Sequence, residues 1–264
     1  MAIVDSPDNF QIGRVVSRTF SVLSHNAVVI LVISALLMLP MLLLSFYMAR
    51  IPAMANAAAG KLAVTNIAKV YENGALSFLL LTICTYVLQA AVIQGTLSYL
   101  NGEPARLGDS LSAGFRSFLP IVVIAFLSLL GMMAGMILLV IPGVILALAW
   151  SVVIPVRVVE NTGISESFGR SRALTKDHRW KIFALFLLYF VVAAVIGLAT
   201  RPLLGISMLK PEVAGLIGMP LLVATWVERV IFSSVTAVGI ASIYYELRLV
   251  KEGVGASQLA SAFD

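Results

Sequence analysis

The sequence predicts an all-α, polytopic membrane protein with about six transmembrane helices, and three observations carry that prediction. Of the 264 residues, 60% are hydrophobic and only 12% are charged, against roughly 25% charged in a soluble domain, and the mean hydropathy is +1.02. The charges fall in short clusters between apolar runs of about 18 or more residues, the spacing that a bilayer imposes. Lys and Arg are shared unevenly between alternate clusters. Lipid is therefore the main solvent, and the whole of 1–264 reads as a single membrane domain with no separate soluble one.

In chain order the apolar runs predict spans near Ala27–Met48, Ala75–Leu100, Leu119–Ile141, Val144–Val159, Ile182–Thr200 and Trp226–Tyr245. The fourth is short: its residues, at about 1.5 Å each, reach roughly 24 Å of a hydrocarbon core near 30 Å. Its leading turn, Ile141-Pro142-Gly143, is accordingly expected inside the outer boundary. The sixth run contains Glu228 and Arg229, and adjacent charges are costly at the bilayer centre. Counting back from Tyr245 places both at the outer interface and leaves Pro211–Ala224 as a separate outer amphipathic or re-entrant helix. Trp226 then marks the outer aromatic belt, with Tyr244 and Tyr245 at the inner one.

Arg14, Arg18, Arg106, Arg116, Arg157, Arg170, Arg172, Lys176, Arg179, Lys181, Arg248 and Lys251 lie on one side of these spans. Arg50, Lys61, Lys69, Arg201, Lys210 and Arg229 lie on the other. The excess puts both termini in the cytoplasm. No Lys or Arg precedes Arg14, so the first run is read as a retained span and not as a cleaved signal peptide, although Ala53–Ala57 has small-residue cleavage character.

A short internal repeat organises the chain. Ile12-Gly13, Ser17 and Phe20 precede the first span, and Leu107-Gly108, Ser112 and Phe115 precede the third at identical spacing. Ser167, Ser171 and Leu174 keep a weaker version before the fifth. The chain thus reads as three units, roughly 9–100, 103–160 and 163–248, each a cytoplasmic interfacial helix followed by a transmembrane hairpin, with a short cytoplasmic tail at 249–264. In the first interfacial helix Ile12, Val15, Val16, Phe20 and Leu23 form the apolar face opposite Gln11, Arg14, Ser17, Arg18 and Ser21. In the second, Pro104 suits the first turn and Leu107, Leu111, Phe115 and Phe118 form the stripe.

Two polar segments stand out: Pro155–Gly163 with Ser167–Phe183, and Ile243-Tyr244-Tyr245-Glu246-Leu247-Arg248 followed by Lys251-Glu252-Gly253. On these residues the chain resembles the glycerophosphoryl diester phosphodiesterase membrane-domain family, including the YciC-like bacterial inner-membrane proteins. The resemblance implies a six-span domain of the bacterial inner (cytoplasmic) membrane. Some members carry a catalytic phosphodiesterase domain and many stand alone. The similar features here are in the membrane part, so no catalytic residue is carried over.

Arg170, Arg172, Lys176, Arg179 and Lys181 put five cations in twelve residues at the inner surface, with Trp180 as an anchor. Each cation near an anionic leaflet contributes on the order of 1 kcal/mol. These five are the lipid-headgroup candidates, as a diffuse anchoring charge, a defined phosphate site or a protein dock. Glu160, Glu166, Glu246, Arg248, Glu228 and Arg229 are structural ion-pair candidates, with Glu166 placed one turn before Arg170. Gly131 with Gly135, and Ala91 with Gly95, have the spacing of close helix packing. Gln89 and Gln94 suit interhelical hydrogen bonds or a polar path. Cys84, within an apolar run, reads as a structural thiol.

Catalysis lacks its parts. His25 and His178 are the only histidines, far apart and without ligand spacing, so neither a metal nor a cofactor is expected. Nucleophile elbow, P-loop and dinucleotide fingerprint are missing. No ionisable residue falls near a predicted midplane, which argues against a proton- or sodium-coupled pump. The sequence therefore favours a non-enzymatic integral membrane protein that organises or senses the membrane. The partners expected are the bilayer, anionic phospholipids and a partner membrane protein or enzyme, with no nucleic acid. A passive transporter or lipid-handling protein, and the membrane subunit of an enzyme carried on another chain, are the alternatives.

Overall fold

A computed structural model describes residues 9–49, 64–100, 108, 110, 112, 114, 117–138, 140–209 and 211–253. The regular elements among them are helices: α1 (Ile12–Ala49), α2 (Val64–Leu100), α3 (Phe118–Leu138), α4 (Val140–Ala149), α5 (Val153–Glu160), α6 (Ile164–Thr175), α7 (Arg179–Leu209) and α8 (Pro211–Glu252). Six stretches are long and apolar enough to cross a membrane: Ile12–Tyr47, Gly74–Leu100, Phe118–Ile137, Ile141–Glu160, Arg179–Leu198 and Met219–Glu252.

The first stretch consists of two helical segments, because α1 bends at Asn26 (φ −121°, ψ 21°). The buried face of its first part is Val15, Thr19 and Val22, whereas Phe20 is 68% exposed, so the predicted apolar face is rotated. In the repeat alignment Val15 and Thr19 correspond to Ser110 and Gly114, and all four are buried. The repeat markers Gly13, Ser17, Gly108 and Ser112 are exposed, while Ser167 and Ser171 are buried. The third copy therefore does not keep the register of the first two. Pro104, Leu107, Leu111 and Phe115 lie outside the described residues.

Two segments expected outside the spanning helices are helical. Ile141-Pro142-Gly143 forms the first turn of α4, where proline's missing N–H costs nothing. Pro211–Ala224 is no separate helix, since α8 continues through Pro220 to Glu252.

A true break occurs inside the fourth span, between α4 and α5. There Val153 donates its N–H to Trp150 O at 3.2 Å, which frees the Ala149 carbonyl from its helical partner. Unsatisfied carbonyls are costly inside a membrane protein. Ser171 Oγ supplies the missing donor at 2.8 Å, with Thr175 Oγ1 at 3.4 Å. The buried face of α6 is thereby fastened to the broken span. Ser171→Ala is expected to cost about 1–2 kcal/mol, the loss of a buried hydrogen bond, in thermal unfolding of the detergent-solubilised protein; an unchanged transition would remove Ser171 from this role.

The centre of the bundle is α1, α2 and α8. Ile30, Ile33 and Met38 meet Leu88, Ala91 and Val92, together with Val230, Ala237 and Val238. Ser234 Oγ donates to Ser34 Oγ at 2.7 Å, and Trp226 Nε1 donates to Met38 O at 2.9 Å. On the other side Gly131 and Gly135 present a groove to α4. A Cβ at Gly131 would stand 2.4 Å from the Trp150 ring, and one at Gly135 2.9 Å from Gly143 Cα. The GxxxG is thus a packing face. Ala91 is likewise fully buried, in contact range of Gly114. The helix α7 stands at the rim, with Phe190, Val195 and Leu198 exposed toward the lipid-facing side.

Candidate functional site

The end of α8 gathers the polar groups of both ends of the chain. Glu246 is fully buried, and its carboxylate accepts from Arg14 Nε at 2.8 Å, from the Gln11 N–H at 3.3 Å and from Arg18 Nη1. Arg14 and Arg18 are one helical turn apart on α1, which lets both reach the same carboxylate. Arg14 also donates to Asn9 O at 2.7 Å, and the Arg18 guanidinium lies 4.9 Å from the centre of the Tyr245 ring. Two cations on one anion leave this cluster with one net positive charge.

A second cluster lies beside it. Arg170 donates through Nε to Glu160 at 2.8 Å and through Nη2 to Glu252. Arg248 donates to the other Glu252 oxygen at 2.8 Å, one turn along the same helix. The Tyr244 hydroxyl donates to Glu160 Oε1 at 3.0 Å and accepts from Arg248 at 3.3 Å. Two arginines and two glutamates close this network without net charge. Glu166 is outside it: its carboxylate accepts the Gly163 N–H at 3.3 Å at the start of α6, so the expected Glu166 to Arg170 pair is replaced by a helix cap.

Lys181 is also engaged, donating to Phe10 O at 2.9 Å and to Asn9 Oδ1 at 3.4 Å. His178 stacks on Phe10, ring centres 5.7 Å apart. Burial, and then the charges of Lys251 and Lys181, push its pKa below the usual 6.5, with Asp177 opposing. Because the unfolded chain holds this proton more tightly than the folded one, stability rises with pH through that window and falls on acidification. Thermal unfolding is expected at a lower temperature at pH 5.5 than at pH 7.5, and His178→Asn should flatten that difference. An equal slope in both proteins would contradict the assignment.

Three of the five clustered cations remain. Arg172 and Lys176 are exposed, and Arg179 is half-buried with its Nε lacking a hydrogen-bond partner. None has an acidic partner among the described residues. Trp180 beside them is 83% exposed. Sequence reasoning missed Arg14, Arg18, Tyr244 and Glu252. The i,i+4 spacings of Arg14 with Arg18, of Tyr244 with Arg248 and of Arg248 with Glu252 are the signals that could have found them.

Glu228 and Arg229 are far from this end. They stand eighteen and seventeen residues before Glu246 on α8, about 26 Å away by helical rise. Gln89 and Ser128 line a cavity of about 350 Å³ bordered by α2, α3, α4, α5, α7 and α8, and Gln94 is half-buried on α2. Among the described residues, no three of His, Cys, Asp or Glu converge as a metal site would require.

Six long apolar helices among the described residues define a multi-pass α-helical membrane protein. Comparison with family models, curated proteins and solved structures finds no match to the chain.

Proposed function

We propose that the chain is a non-enzymatic protein of the bacterial inner membrane, with both termini cytoplasmic, that organises or senses the membrane by holding anionic phospholipid at its inner face. The supporting observation is the division of the basic segment. Arg170 and Lys181 are engaged within the fold, whereas Arg172, Lys176 and Arg179 have no acidic partner among the described residues and flank an exposed Trp180. This is the chemistry of an anionic headgroup surface with an aromatic anchor. The reading includes membership of the glycerophosphoryl diester phosphodiesterase membrane-domain family. In its favour, the two segments that carry the resemblance meet each other through Arg170, Glu252, Tyr244 and Glu160.

Replacing Arg172, Lys176 and Arg179 together by glutamine is expected to weaken phosphatidylglycerol retention in native mass spectrometry about a hundredfold, at roughly 1 kcal/mol per cation. Arg172→Lys with Arg179→Lys separates a fork that grips phosphate from diffuse charge, since lysine keeps the charge and loses the planar donor pair. Undiminished retention in the glutamine variant would remove the proposal. A lateral cavity of about 610 Å³ favours the lipid-handling alternative as a second reading.

A further inference from the structure

A crevice of about 610 Å³ opens between α2, α7 and α8, within the roughly 300–1,000 Å³ typical of small-molecule sites. Leu81, Val192, Ile196, Ile231 and Phe232 supply its apolar wall. Along α8 the lining runs from Ala224 to Val235, about 16 Å by helical rise, or half of a hydrocarbon core near 30 Å. That is the depth of one leaflet.

Glu228 and Arg229 also line it. Neither has an ion pair or hydrogen bond with another described residue, and unpaired charges at membrane depth are costly. Both sit toward the end of the bundle remote from Glu246, with Ile231, Phe232 and Val235 deeper along the helix. An acid and a base in the outer half of this slot, with about 10 Å of apolar wall beneath them, match the head and upper chain of a lipid carrying charges of both signs.

We propose that this crevice holds one phospholipid with an ethanolamine-type head in the leaflet remote from the termini, its phosphate on Arg229, its primary ammonium on Glu228 and an acyl chain along α7 and α8. An anionic lipid would satisfy Arg229 and leave Glu228 facing like charge. A choline head has no N–H to donate to Glu228. The proposal rests on the membrane reading and is independent of the basic surface at Arg172.

The test is native mass spectrometry of the full chain, offered equal phosphatidylethanolamine, phosphatidylcholine and phosphatidylglycerol. The wild type should retain phosphatidylethanolamine most persistently. In Glu228→Gln that preference over phosphatidylcholine should fall about tenfold, the loss of one charge-assisted hydrogen bond. In Arg229→Gln both lipids should be lost together. Ala193→Phe, which fills the slot and keeps both charges, should also reduce retention and serves if the charge variants do not fold. Replacing Arg172, Lys176 and Arg179 should leave this preference unchanged. Equal retention of the three lipids, or a preference untouched by Glu228→Gln and Ala193→Phe, would overturn the proposal and leave only nonspecific boundary lipid.

Discussion

Glu246→Ala is expected to destabilise the folded protein by about 3–5 kcal/mol, the range for removing one partner from a buried ion pair. The carboxylate is fully buried and holds two guanidinium groups, Arg14 and Arg18, that are themselves about four-fifths buried. Without it those cations face each other and the Gln11 N–H loses its acceptor. The start of α1 would then separate from the end of α8. Glu246→Gln keeps an acceptor oxygen and should lose less. Thermal unfolding in detergent measures both, and an alanine variant within about 1 kcal/mol of wild type would show that the fold does not depend on this carboxylate.

The second large effect is expected at the hairpin of α3 and α4. A Cβ added at Gly135 would lie 2.9 Å from Gly143 Cα, and one at Gly143 would lie 2.9 Å from the Met136 backbone nitrogen. Backbone cannot rotate aside as a long side chain can. Gly143→Val should therefore cost about 3 kcal/mol, the upper part of the overpacking range, and reduce the amount of folded protein recovered on extraction. Gly143→Ala already adds the clashing Cβ, and Gly169→Ala is its matched control, since nothing lies within 4 Å of the Cβ added there. Equal recovery of the two alanine variants would contradict the close approach.

The spans were legible because each depends on a local property, a run of apolar residues long enough for lipid. The exceptions have local reasons. Ser171 is a polar residue on a short helix, and only the fold shows that it replaces a donor lost to the Ala149 carbonyl. Pro211–Ala224 reads as a separate segment in sequence because Glu228 and Arg229 are costly at the bilayer centre. A single helix instead places both charges at a crevice. The basic segment shows where sequence stops: five cations can be counted, but the engagement of Arg170 depends on Glu160 and Glu252, and that of Lys181 on Phe10. Those partners are remote in sequence or belong to other elements. Arg14 and Arg18 fall on the polar face of the first helix in sequence for the same reason, their carboxylate being more than two hundred residues away.

Lipid holding at the inner face requires that Arg172 lie on the cytoplasmic side of the membrane. Cysteine labelling tests this directly, in a Cys84→Ala background and with an impermeant thiol reagent. Arg172→Cys should be protected in intact spheroplasts and labelled in inverted membrane vesicles, while Glu228→Cys should show the reverse pattern. Labelling of Arg172→Cys from outside intact cells would place the basic surface away from the anionic inner leaflet and contradict the account.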